Sequence, residues 1–81
     1  MLFYTISHMK AKKTQVLMYI LYLLFEYKKI KKEQILDVVE LTDLTFSRYM
    51  QEIKAFLINF NYPYELKYSR SDNVYYLKPI E

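Results

Sequence analysis

Residues 16–25 form an unbroken apolar run, VLMYILYLLF, with Lys12 and Lys13 before it and Lys28 and Lys29 after it. The run is too long for an ordinary strand, whose usual length is about five or six residues. It is also well short of the ~20 apolar residues that a membrane-spanning helix needs. It therefore predicts a core helix over residues 11–27, buried on more than one face. A chain of 81 residues supports a single hydrophobic core, so the remaining elements must pack around this helix.

Residues 28–31 interrupt the helix, with Ile30 alone among lysines, as a short extended connector or a single β-bridge would. Residues 32–40 place Ile35, Leu36, Val38 and Val39 at mixed helical spacings and leave Glu33 and Asp37 for solvent, which predicts a second, short helix. A turn over residues 40–44 follows, in which Asp43 or Thr45 can cap the next helix. That third helix is expected to run to about Phe60. Tyr49, Ile53, Phe56 and Phe60 form its apolar stripe, with Ser47, Arg48, Gln51, Lys54 and Ala55 opposite. Asn61 stands where a left-handed terminating residue belongs, and Pro63 prevents continuation. Beyond it Tyr64, Leu66 and Tyr68 alternate with Glu65 and Lys67, residues 69–73 have turn chemistry, and residues 74–77 are β-branched and aromatic, so the chain closes in a hairpin. The predicted class is α+β: residues 1–10 as an N-terminal extension, with Met9 as an alternative start, and residues 11–81 as one domain with a three-helix core and a two-stranded hairpin.

Composition excludes several functions. The sequence has no glycine and no cysteine, so Gly-rich phosphate loops, thiolate metal sites, disulfides and a cysteine nucleophile lack their parts. The one histidine, His8, has no carboxylate nearby at metal-ligand spacing, and no Ser-His-acid order exists, so no catalytic residue, metal or cofactor is expected. Residues 1–6 lack a basic leader, no small-residue cleavage site follows, and no membrane association is expected. A reducing, cytoplasmic location is the default. Net charge is +3, and lysines at both ends of the first helix can face a polyanion or simply be solvated.

Two short helices joined by a tight turn, the second with a polar outer face and a hairpin after it, make up a winged helix-turn-helix. In detail the chain resembles the amino-terminal DNA-binding domain of DeoR-type and WYL-associated bacterial regulators. Those families show an apolar residue, a Ser or Thr, a variable stretch, an arginine, an acid, an Ile or Leu and a further apolar residue three later. Here Leu44 and Thr45 open the pattern, and Gln51, Glu52, Ile53 and Phe56 close it. Asn61-Tyr62-Pro63-Tyr64 takes the place of the families' Gly-x-Pro-Ile turn, and Tyr75-Tyr76-Leu77 that of their closing run. The resemblance spans about residues 13–78. It departs at Gln51, where the families carry arginine, at Ser47 and Arg48, where a more basic pair is common, at Asn61 for glycine and at Thr42 for an apolar residue.

The resemblance implies a sequence-specific double-stranded DNA-binding module of a transcriptional regulator, with the third helix in the major groove and the wing on the backbone. Thr45, Phe46, Ser47, Arg48, Met50 and Gln51 are then the candidates on the first turns of that helix. Arg48 has the donor pair for a guanine edge, and Gln51 the donor and acceptor for adenine. Thr45 also suits an N-cap, Phe46 and Met50 also suit packing, and Arg48 and Gln51 also suit a solvated face. In the wing Lys67 and Arg70 can reach phosphates, with Ser69 and Asn73 adding neutral hydrogen bonds. One or two of Lys28, Lys29, Lys31 and Lys32 can do the same. Of the ten tyrosines, Tyr19, Tyr22, Tyr49, Tyr75 and Tyr76 fall on predicted apolar faces and are read as core rather than as a base-stacking platform. A two-fold homodimer on a palindromic site would follow from this function, with residues 1–6 and 16–25 as apolar material for it. The alternative class is a winged-helix module for protein contact without DNA binding, motivated by Gln51, Ser47, Glu52 and the modest charge.

Overall fold

The computed structural model describes residues 10–80. The expectations for residues 1–9, including His8, the extension and its share of a dimer contact, lie outside the described residues. The element order is α1 (Lys13–Tyr27), β1 (Lys29–Ile30), α2 (Lys32–Leu36), α3 (Asp43–Asn59), β2 (Tyr64–Ser69) and β3 (Val74–Pro79). The molecule is a small α+β unit of three helices and a three-stranded antiparallel sheet in the order β1-β3-β2. No helix among the described residues is long and apolar enough to cross a membrane.

The lone apolar residue among the lysines explains the third strand, which the two-stranded expectation lacked. Ile30 is buried, and its backbone pairs with Tyr75 while Lys29 pairs with Tyr76. Burying that one side chain commits two residues of connector to the ladder. Lys28 turns the chain into it with φ of 66°, donating its N–H to the Leu24 carbonyl at 2.8 Å. For a residue with a Cβ this left-handed backbone costs about 1–2 kcal/mol. The Lys28 ammonium offsets part of it by donating to the Phe25 carbonyl at 2.6 Å.

Helix α2 is shorter than the sequence predicts, ending at Leu36. The Lys31 backbone N–H donates to Gln34 Oε1 at 2.7 Å, the return half of a capping box. Ile35 and Val39 are buried, and Val39 lies beyond the helix, in an isolated bridge after the turn at Asp37 and Val38.

Helix α3 begins one residue after Thr42. The Thr42 hydroxyl accepts the Thr45 N–H at 3.1 Å, so Thr42 is the N-cap and neither Asp43 nor Thr45 takes that role. Its end follows the sequence reading. Asn61 has φ of 55°, its N–H donates to Ile58 at 3.2 Å, and the Tyr62 N–H reaches Leu57 at 3.0 Å. These are the two bonds of a Schellman ending, completed by the Tyr62 ring against Phe56, 5.2 Å between centroids.

The core gathers Val16, Ile20 and Leu24 of α1, Ile30, Ile35, Val39, then Phe46, Met50, Ile53 and Leu57 of α3, and Leu66 opposite Leu77 in the hairpin. Each such side chain contributes about 1.5–3 kcal/mol on burial. The buried stripe of α3 is therefore offset from the expected one. Tyr49 and Phe56 are half-buried at its edge, and Phe60 is exposed. Helix α1 is likewise not buried all round, because Met18 and Tyr22 lie in solvent.

Candidate nucleic-acid interface

Once Phe46, Met50, Ile53 and Leu57 face inward, the helical period aims Ser47, Gln51 and Lys54 to one side of α3 and Arg48 straight out. All four are exposed. Phe46 is fully buried and Met50 nearly so. The Phe46 ring packs the core and cannot reach a ligand, and Met50 packs beside it. This corrects the placement of Phe46 among the contact residues. Thr45 is half-buried, its N–H held by Thr42 and its hydroxyl accepting from the Thr42 hydroxyl at 3.0 Å.

The side of α3 that carries Gln51 and Lys54 borders β2. Between them lies an open cleft lined by Gln51, Lys54, Lys67 and Tyr68, with Met50 and Leu66 at its floor. By sequence pattern Lys54 belongs to the polar face of α3 and not to the expected contact residues. Its spacing of three from Gln51 and seven from Ser47 is the signal that places it with them.

The charges on α3 are not balanced evenly. Asp43 pairs with Lys32 at 3.6 Å, and Glu52 pairs with Lys13 of α1. That contact holds the Lys13 ammonium above its ordinary pKa, chiefly through the hydrogen bond to Glu52. Both carboxylates of α3 thus have a cation beside them. Among the described residues, Arg48 and Lys54 have no ion-pair partner. Lys67 is close to Glu65 at 3.5 Å, and this pair, like the other two, is exposed, weak and readily exchanged.

At the far end of the hairpin, Arg70 is exposed in the turn. Ser69 and Asn73 are occupied with building that turn. The Ser69 hydroxyl accepts the Asp72 N–H at 3.4 Å. Asn73, with φ of 57°, accepts from the Tyr68 hydroxyl at 2.5 Å and donates to Glu33 of α2 at 3.4 Å. A second shallow depression faces the other side of the turn, where Lys28, Lys29 and Lys31 stand across from Ser69 and Asp72.

Tyr75 sits at the junction of these parts. Its ring meets Phe46 edge-on at 5.7 Å and Tyr68 at 4.7 Å. Partial burial, and then the neighbouring Tyr68, raise its hydroxyl pKa. Of the tyrosines expected in the core, Tyr49, Tyr75 and Tyr76 are half-buried, while Tyr19 is partly exposed and Tyr22 mostly so.

The arrangement can hold an extended polyanion: a rod-shaped helix edge with free cations, an amide side chain between them, and a hairpin bearing further cations beside it. No family model matches this sequence, and no curated protein or solved structure matches it either.

Proposed function

We propose that this chain is a double-stranded DNA-binding module of a cytoplasmic transcriptional regulator, with α3 in the major groove and the β2–β3 hairpin as a wing on the phosphate backbone. The reading takes the fold as a winged helix-turn-helix of the DeoR-type and WYL-associated kind. The observation that carries it is the charge state of α3. Each of its carboxylates has a cation of the molecule beside it, while Arg48 and Lys54 stand on the exposed face without an ion-pair partner among the described residues, next to Gln51 and across a cleft from Lys67.

The dimensions agree. A helix is about 10–12 Å across with its side chains, and the major groove of B-DNA is about 12 Å wide. In that position Arg48 donates two parallel bonds to a guanine edge and Gln51 reads an adenine. Lys54, Lys67 and Arg70 neutralise phosphates, which fixes orientation without reading sequence. Ser47 and the backbone at Thr45 lie closest to the entering end of the helix. Two half-sites read by a two-fold homodimer supply the selectivity that one small module lacks.

Fluorescence anisotropy of the chain against random-sequence duplexes, across a salt series, tests the reading. Log affinity should fall linearly with log salt, with a slope near −0.9 per phosphate neutralised. Absence of binding at low salt would leave the protein-contact alternative, which the exposed Ile58, Phe60 and Ile80 favour.

A further inference from the structure

The register of the sheet sorts its side chains onto two sides. Ile30, Tyr75, Leu77 and Leu66 face the helices and join the core, and strand alternation sends their neighbours the other way. Lys29 and Lys67 both stand opposite Tyr76, one on each side of it, so these three residues form a row across the three strands. Val74 and Ser69 pair in the next row on the same side. Lys31, still extended at φ of −106° and ψ of 146°, follows Lys29 onto that side.

Tyr76 is therefore not the core residue that its place in an apolar run suggests. With Val74 it floors the shallow depression beside the turn, which has Lys29 and Lys31 along one edge and Ser69 along the other. The rings of Tyr75 and Tyr68 meet other rings, whereas that of Tyr76 meets none among the described residues. The lysines of this side outnumber its carboxylates: Lys29, Lys31, Lys67 and Lys78 stand against Glu65 and Asp72. Glu65 lies beside Lys67 at 3.5 Å and opposite Lys78, and Asp72 stands apart in the turn. Lys29 and Lys31 are exposed and have no ion-pair partner among the described residues. Lys28 lines the depression as well, but its ammonium is held by the Phe25 carbonyl and lies over the Tyr64 ring.

We infer that this side of the sheet binds an unpaired nucleic-acid strand, one base stacking on the Tyr76 ring while Lys29 and Lys31 take the phosphates beside it. An aromatic ring set among cations is how single strands are held, and a duplex hides the base faces that such a ring needs. Lys29 and Lys31 are two residues apart on extended chain, about 6.6 Å, a spacing that successive phosphates of an extended strand can match. The depression is open, as a polymer lying across it requires. The surface is on the other side of the sheet from the helices, so the inference stands apart from the duplex reading of α3 and adds a second nucleic-acid site to it.

Fluorescence anisotropy of short labelled oligothymidylate and oligouridylate with the full chain, across a salt series, tests the inference, and the two probes distinguish a DNA from an RNA strand. Tyr76→Leu should weaken binding about tenfold, and Tyr76→Phe should leave it unchanged, because stacking uses the face of the ring and not its hydroxyl. Lys29→Ala and Lys31→Ala should each lower the salt slope by about 0.7. Arg48→Ala, on α3, should leave single-strand binding as it is.

The inference is overturned if neither strand binds at low salt, or if Tyr76→Leu melts as the wild type does and binds equally well. Inorganic polyphosphate binding as tightly as the oligonucleotides would also overturn it, since cations alone would then account for the contact. Should Tyr76→Leu not fold, the exposed pair decides: Lys29→Glu/Lys31→Glu must abolish binding, and retained binding ends the proposal. Loss of single-strand binding in Arg48→Ala would place the strand on α3 instead, whereas failure of the duplex reading alone leaves these results intact.

Discussion

The ring of Phe46, in the first turn of α3, meets the ring of Tyr75 on β3 edge-on at 5.7 Å. This contact fixes where the helix stands relative to the hairpin, and so sets the width of the cleft between Gln51 and Lys67. Phe46→Ala should cost about 3–5 kcal/mol of stability, as for other fully buried aromatics, measured by urea denaturation. Phe46→Leu should cost less and leave the fold intact. If Phe46→Ala left stability unchanged and removed only DNA binding, the burial of that ring would be wrong.

Thr42→Ala should destabilise by about 1 kcal/mol, because the free N–H of Thr45 loses its acceptor. Thr45→Ala should cost distinctly less, since its own hydroxyl caps nothing. Chemical denaturation of the two variants side by side separates the roles, and a reversed order would move the start of α3.

Asn61→Gly should stabilise by a few tenths of a kcal/mol, and Asn61→Val should cost about 1–2 kcal/mol, because φ of 55° is left-handed and only glycine adopts it without penalty. Thermal melts of the pair give the comparison directly.

On the proposed function, Arg48→Ala should lose about 1–3 kcal/mol of binding to the preferred site and relax selectivity at one base position. Lys54→Ala and Lys67→Ala should weaken binding to all duplexes alike and lower the salt slope by about one each. Arg48→Ala with unchanged site preference, in a selection from random duplexes, would place the groove contact elsewhere.

The tyrosine at the helix–hairpin junction predicts an alkaline limit. The pKa of Tyr75 is raised above its ordinary value of 10.0, first by burial and then by Tyr68. The folded state therefore holds this proton more tightly than the unfolded chain does. Its contribution is complete below the unfolded pKa and is lost as pH rises from about 10 through the raised folded value. Urea midpoints of wild type and Tyr75→Phe should run parallel up to pH ~9.5 and diverge above it, with the variant less sensitive. Parallel curves to pH ~11 would show that the hydroxyl is fully solvated.

Much of the fold is legible in the residues. Asn61 followed by Pro63 announces the end of α3, and the alternation around Leu66 with turn residues after Ser69 announces the hairpin. The inward face of α3 was not legible, because two apolar series coexist there. Phe46, Met50, Ile53 and Leu57 share Ile53 with Tyr49, Phe56 and Phe60, both series satisfy the helical period, and only packing against α1 and the sheet chooses between them. The same ambiguity hid the burial of Phe46. Arg48, Gln51 and Lys54 escape it because they lie on the arc polar in either case. The cap was ambiguous for a local reason: Thr42, Asp43 and Thr45 can all accept a helix N–H, and the path of the chain out of α2 decides which does.

The pairing of Lys29 and Ile30 with Tyr76 and Tyr75 joins the segment just after α1 to the last strand, and this governs the order of assembly. The β2–β3 hairpin closes over a short turn, and the helices form from local contacts, but β1 has nothing to pair with until β3 is in place. Closing so long a loop costs entropy before its contacts repay it. The last step to the native state is therefore expected to be the docking of the hairpin onto the segment after α1, and a nascent chain cut before β3 would leave Ile30 and the α1 surface beside it uncovered.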